Sequence, residues 1–172
     1  MTQPKKDLQT VSSDGRQLAP LIEGVRIRYV ITHADARGSL TEVFNPAWGF
    51  HESPMVYLYE FTIRPGKAKG WVAHQQQDDR IFLSRGSVKF VLYDDRPPSP
   101  TYKMINELVF TEQNRALITY PCGIYHALEN IGTVDALLYN LPTRPYNHAD
   151  PDKYRLPLNN DIIPYRFDVT GG

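Results

Sequence analysis

From Val25 onward the chain alternates short apolar runs with clusters of Gly, Pro, Asn and Asp. In the segment 87–93, Val88, Phe90 and Leu92 alternate with Lys89, Val91 and Tyr93, the two-residue period of a strand. The same reading predicts strands over 25–33, 39–45, 55–63, 69–76, 80–84, 87–93, 103–111, 115–120, 125–130 and 134–141. The tetrads Ser84–Ser87 and Asn130–Thr133 read as hairpin turns. Only a stretch near Asp150–Tyr154 has a helical look. Many short strands with regular turn signals predict an all-β sandwich or barrel. Residues 1–20 are polar and aperiodic and are expected to form a flexible arm, with 21–172 as one barrel domain. The segment 150–167, rich in Pro and aromatics, reads as a strap over that barrel.

Composition narrows the function. Lys plus Arg equals Asp plus Glu at 19 each, so the basic excess of a nucleic-acid module is missing. The balance also argues against an electrostatic membrane anchor, and no apolar run approaches the ~20 residues of a membrane span. The polar N-terminus has no apolar core behind its lysines, unlike a secretory signal. A single cysteine, Cys122, rules out an internal disulfide framework and suits a reduced, cytoplasmic protein. At 172 residues the chain can bury a sizeable core.

Two motifs carry chemistry. Pro121, Gly123, His126 and Asn130 spell P-x-G-x-x-H-x-x-x-N, which resembles the second signature of the cupin barrels. Where the first signature has H-x-H, this chain has Val72-Ala73-His74. Val72 and His74 are two apart on a strand, so both face the same side.

Over residues 24 to about 167 the chain resembles the dTDP-4-dehydrorhamnose 3,5-epimerase family. The resemblance is carried by DARGSLTEVF (Asp35–Phe44), Lys69-Gly70-Trp71, YDDRPPSPTY (Tyr93–Tyr102), PCGIYH (Pro121–His126) and LLYN (Leu137–Asn140). It implies a cupin-type double-stranded β-helix, or jelly roll, and a homodimer. It also implies an isomerase that exchanges a proton beside the keto group of a nucleotide-linked sugar. In such chemistry a base and an acid flank one carbon. The resemblance puts the acid at Tyr139. The family's base histidine falls at Val72, its enolate-stabilising lysine near Asp79 with Arg80 adjacent, and a glutamine at Met55. A non-standard base is therefore expected, with His74 the candidate.

The resemblance implies substrate contacts at Arg37 and Glu42, which in the family approach the nucleotide across a dimer interface. Met55, Val72 and His126 are expected to line the sugar site, and Lys69 and Arg80 to hold a diphosphate by charge-assisted hydrogen bonds. His74, His126 and one of Asp78 or Asp79 would make a legitimate ligand set for iron(II), but the resemblance implies neither metal nor cofactor. Two further readings stay open: a barrel repurposed for cyclisation, isomerisation or elimination on a non-sugar intermediate, and a non-catalytic small-molecule binder.

Overall fold

The computed structural model describes residues 4–13 and 18–172. In chain order the strands are β1 (Arg26–Tyr29), β2 (Thr32–Asp35), β3 (Gly38–Thr41), β4 (Tyr59–Ile63), β5 (Lys67–Ala73), β6 (Asp79–Arg85), β7 (Ser87–Asp94), β8 (Ile105–Thr111), β9 (Ala116–Tyr120), β10 (Ile124–Asn130), β11 (Ala136–Asn140), β12 (Tyr154–Arg155) and β13 (Thr170–Gly171). Two sheets face one another. One runs β1-β9-β6-β11-β4 and the other β12-β5-β10-β7-β8, with β13 also on β5. Pairing is antiparallel throughout except for β13 on β5. The architecture is all-β and of jelly-roll type. The one helical element among the described residues is a single 3-10 turn at Pro46–Trp48, so no helix is long and apolar enough to cross a membrane.

Strand alternation sorts the apolar side chains into layers. Val88, Phe90 and Leu92 of β7 meet Ile81, Leu83, Ile118 and Leu138 from the other sheet in the inner core. On the outer side of the second sheet, Trp71, Val91 and Ala127 pack under Leu158, Ile163 and Phe167. Trp71 Nε1 donates to Leu158 O at 2.9 Å. Outside the first sheet, Phe82, Leu117 and Leu141 pack with Val43, Phe44, Phe50 and Tyr139.

Several expected elements change. The run 25–33 divides into β1, which pairs β9, and β2, which pairs β3 in a separate hairpin. The Ser84–Ser87 and Asn130–Thr133 turns close no hairpin; each carries the chain from one sheet to the other. Asn130 builds the second corner, donating to Ile63 O and Val134 O and accepting from Gly132 N–H. Near residue 150 there is no helix. The chain is extended there and adds β12 to the edge of β5. The arm expected over 1–20 falls partly on 1–3 and 14–17, outside the described residues. By Pro20–Ile22 the chain is fixed to Asn106, whose amide binds Pro20 O and Ile22 N–H.

Candidate active site

β5 and β10 run unusually close where the site forms. A Cβ on Gly70 would sit 2.5 Å from Ala127 Cα, so only glycine permits the approach. Register then places His126 of β10 opposite Val72 of β5. Gly123 (φ +82) makes the turn that launches β10, and its N–H donates to His74 O at 2.7 Å. From the facing sheet, Asp79 and Ile81 of β6, Asn140 of β11 and Tyr59 of β4 point inward. Together they enclose a cavity of about 180 Å³. That is below the roughly 300–1,000 Å³ of a site that swallows a drug-sized ligand. The enclosed part therefore suits a single ring, with any remainder of a longer ligand at the mouth.

Asp79 is the hub. Its Oδ1 accepts from Asn140 Nδ2 at 2.9 Å and Gln77 Nε2 at 3.2 Å. Its Oδ2 lies 3.3 Å from His74 Nε2, 3.6 Å from His126 Nε2 and 3.5 Å from the Tyr120 hydroxyl. Burial pushes this carboxyl up, but the His74 hydrogen bond, the two imidazoles and the Asn140 amide outweigh it and hold it at about 2. His126, fully enclosed, is pushed down to about 4 by burial, against the pull of Asp79. Burial also lowers His74, yet its contacts with Asp79 and Asp152 leave it net above its ordinary value. The Nδ1 of His74 donates to the Asp152 carbonyl, which can only accept, so in the neutral ring the lone pair is on Nε2. Asp152 also grips the neighbouring backbone, its carboxylate accepting from Gln75 and Gln76 N–H at 2.8 Å each.

A polar line continues from the hub. Asn140 Nδ2 also reaches the Tyr59 hydroxyl at 2.9 Å. His74, Asp79, Asn140 and Tyr59 thus form one hydrogen-bonded chain across the cavity. Burial, and the charge of Asp79 behind it, push the Tyr59 hydroxyl up to about 12, so it stays protonated.

Lys69, Lys153 and Arg155 stand at the mouth. Burial, together with the charges of Arg155 and Lys69, holds the Lys153 ammonium below its usual value. None of the three makes an ion pair among the described residues. The mouth therefore carries uncompensated positive charge.

Of the residues singled out from sequence, His74, Val72, His126 and Lys69 come together here. Tyr139 does not. In β11 the inward positions are Leu138 and Asn140, and Tyr139 points to the outer layer, where its hydroxyl bonds Glu60. Arg80 is also turned away. It is fully buried on the outer face of β6, donating to the carbonyls of Leu141, Ser53, Pro54 and Pro142 and stacking on Phe44. Four of its five N–H donors are taken by these carbonyls, and the whole group is buried away from the cavity. Met55 is half exposed, before β4 and away from the cavity. Arg37 sits at the tip of the β2–β3 hairpin, held by Asp35 at 2.7 Å. Glu42 is exposed just past the end of β3 and accepts weakly from Asn45 at 3.4 Å. Asp78 faces outward to His51 and Cys122 N–H, so Asp79 is the carboxylate beside the histidines. Sequence reading missed Tyr59, Asn140, Asp152, Lys153 and Arg155. Asn140 was within reach, being the residue after Tyr139 in the same motif, but every residue of Ala136–Asn140 is at least partly buried. The sequence ALLYN gives no apolar–polar alternation to tell inside from outside.

Fold and site define a cupin-type barrel with an acid/base cluster in its cavity. No protein-family model matches the chain. It is 36% identical over 142 residues to a probable low-salt glycan biosynthesis epimerase, Agl13, of Haloferax volcanii, covering 81% of this chain and 90% of that protein. A dTDP sugar isomerase from Desulfovibrio desulfuricans G20 superposes with a TM-score of 0.79 at 20% identity, covering 86% of this chain and 94% of that one. A dTDP-4-dehydrorhamnose 3,5-epimerase from Bacillus anthracis superposes at 0.75 with 18% identity, over 89% and 90%. At such identities the two structures speak to fold alone. The chain belongs to the dTDP-4-dehydrorhamnose 3,5-epimerase family of sugar epimerases.

Proposed function

We propose that the protein is an epimerase-type isomerase acting on a nucleotide-linked keto-sugar. The carrying observation is the chain His74–Asp79–Asn140–Tyr59, which sets two proton-transfer groups around one small cavity from opposite sheets. Two relatives agree with this reading: Agl13 is described as a probable epimerase, and the B. anthracis structure holds TDP and pyrophosphate.

In this reading His74 Nε2 takes the proton beside the sugar carbonyl. The imidazolium that forms is stabilised by Asp79, while the Asp152 carbonyl fixes the ring's tautomer. Tyr59 returns a proton from the other side, in place of Tyr139. Lys153 and Arg155 join Lys69 to hold the diphosphate, in place of Arg80. Val72 opposite His126 gives the ring an apolar wall.

Assembly is part of the proposal. Tyr29, Ile31 and Leu40 are exposed on and beside the β2–β3 hairpin, a surface suited to a second copy. Light scattering should give a mass near twice 19.7 kDa; a clean monomer defeats this part.

The test of function is solvent deuterium exchange at C3 and C5 of dTDP-4-keto-6-deoxyglucose and its UDP- and GDP-linked counterparts. Incorporation that is lost in His74→Gln supports the reading. Absence of exchange on every one of these sugars overturns it.

A further inference from the structure

The strap that carries Asp152 is anchored on either side of it and nearly bare in between. Downstream, Leu158, Ile163 and Phe167 are buried with Trp71, Val91 and Ala127. Upstream, Thr143 is tied to Asp78: its N–H donates to Asp78 O at 3.0 Å, and its Oγ1 accepts from Asp78 N–H at 2.9 Å. Between these anchors every residue from Arg144 to Arg155 is exposed except Asp152. Such a stretch buries little apolar surface, so its docked position rests on polar contacts.

Two sets of contacts act on it in opposite directions. Asp152 holds it down. Its carbonyl accepts from His74 Nδ1, and its carboxylate accepts from Gln75 and Gln76 N–H at 2.8 Å each. Lys153 and Arg155, two positions apart, both line the cavity mouth together with Lys69 of β5, whose ammonium stands 6.0 Å from the centre of the Phe61 ring. None of these three cations makes an ion pair among the described residues. Burial and then the charge of Arg155 lower the Lys153 ammonium; Asp79 opposes them and Lys69 adds to them. With no anion bound, the mouth sets two strap cations against a barrel cation. An anion of two or more charges turns that repulsion into attraction.

We propose that Asp152–Arg155 is a clamp worked by an anion of the diphosphate class: the anion, held by Lys69, Lys153 and Arg155, pins the strap to β5, and the pinned strap sets Asp152 on His74. Asp152 is thus a positioning residue that acts through the imidazole. The backbone supplies the coupling. Tyr154 pairs Ala73 and Arg155 pairs Val72, so the residues that meet the anion and the residue that meets His74 share one short stretch along β5. Asp152 and Lys153 are joined by a single peptide link, a fixed ~3.8 Å between Cα atoms, so one cannot dock without the other. Binding energy from the end of the substrate that does not react is spent on ordering the end that does. The gain equals the preference of the anion for the docked strap over the undocked one. Its consequence for catalysis rests on the function proposed above; the anion-driven docking does not.

The test uses the full-length protein with inorganic pyrophosphate alone as the probe. Calorimetry should show saturable binding. At saturation, amide hydrogen exchange over residues 75–76 and 154–156 should slow at least about tenfold. Combining Lys153→Gln with Arg155→Gln should abolish the slowing. Asp152→Ala should still bind pyrophosphate and lose the slowing over 75–76. The reaction is read with the 1,5-anhydro analogue of 4-keto-6-deoxyglucose, which ends at C1 and has no diphosphate. Its deuterium exchange should rise at least about tenfold when pyrophosphate is added to the wild type, and Asp152→Ala should not respond. No saturable binding by the wild type, or binding that leaves both stretches exchanging as before, overturns the proposal whatever the variants do. Slowing that survives the double glutamine variant also overturns it, because the anion would then be held elsewhere. Slowing without activation of the anhydro sugar, in protein that exchanges a full nucleotide sugar, overturns the link to the base. Slowing with no exchange on any sugar leaves the docking standing and defeats the proposed function, so the two failures are distinct.

Discussion

Asp79 and Arg80 are neighbours in sequence, both charged and both fully buried, yet they belong to different worlds. β6 turns Asp79 into the cavity, where its partners are two imidazoles, a phenol and two side-chain amides. It turns Arg80 outward, where its partners are four backbone carbonyls. Carbonyls cannot titrate or move away, so Arg80 is a fixed rivet between β6 and the segments 53–54 and 141–142. Imidazoles can exchange protons, so in the proposed reaction Asp79 bears on the chemistry. Burial of a charge does not by itself mark a functional residue; what matters is whether its partners can change state.

The largest effect that would break this comparison is on stability. Arg80→Met should leave the four carbonyls without their donor and cost about 3–5 kcal/mol in urea unfolding. Arg80→Lys should recover little, since an ammonium cannot reproduce the guanidinium fork. A variant of near-native stability that instead loses ligand binding would move Arg80 back among the binding residues.

On the inner side, Tyr59→Phe should lower deuterium exchange by roughly 10²–10⁴-fold. Stability should change by no more than about 1.5 kcal/mol, because Asn140 keeps its bond to Asp79. Unchanged exchange would remove Tyr59 from the mechanism.

Asp94 sharpens the contrast as a third buried charge, at the end of β7 and outside the cavity lining. Arg96, Ser99 and Thr101 bind it, and although burial opposes them they hold its carboxyl well below the ordinary 3.8. A depressed folded-state pKa means that this contribution is complete above pH 3.8 and fades as pH falls through the lower value. Asp94→Asn should therefore cost about 1–3 kcal/mol at neutral pH. The gap to wild type should narrow below pH 3.8, with exchange untouched throughout. A gap that widens in acid would reverse the sign and refute the account.

The smallest effect belongs to Tyr139→Phe. Its hydroxyl meets only Glu60 on the outer layer, so stability should stay within about 0.5 kcal/mol and exchange within about twofold. A loss comparable with that of Tyr59→Phe would exchange the two tyrosines' roles.

Much of the barrel was legible in the sequence because a strand with one face on the core alternates, as Ile105–Thr111 does. The motif Pro121–Asn130 also announced itself: its glycine makes a positive-φ turn, its asparagine ties a corner, and its histidine faces in. Where alternation fails, legibility fails with it. Ala116–Tyr120 is buried on both faces and the outer face of Ala136–Asn140 is half-buried, so its apolar sequence did not reveal the parity of Tyr139 or Asn140. Asp152, Lys153 and Arg155 were invisible for another reason. Nothing local in DPDKYR reveals that it lies against residues 72–76.

The placement of Asp152 carries a consequence for the order in which a working molecule can be made. The carbonyl that orients His74 comes from a residue 78 positions further along the chain. Until that stretch has left the ribosome, β5 is a sheet edge with free N–H and C=O groups, open to pairing with any passing strand. β12 and β13 later pair with the two ends of that edge, one antiparallel and one parallel. The same segment that makes the nascent barrel safe from strand-to-strand aggregation also sets the histidine. A chain whose edge is still sticky is thereby also one whose proposed base has not yet been set in place.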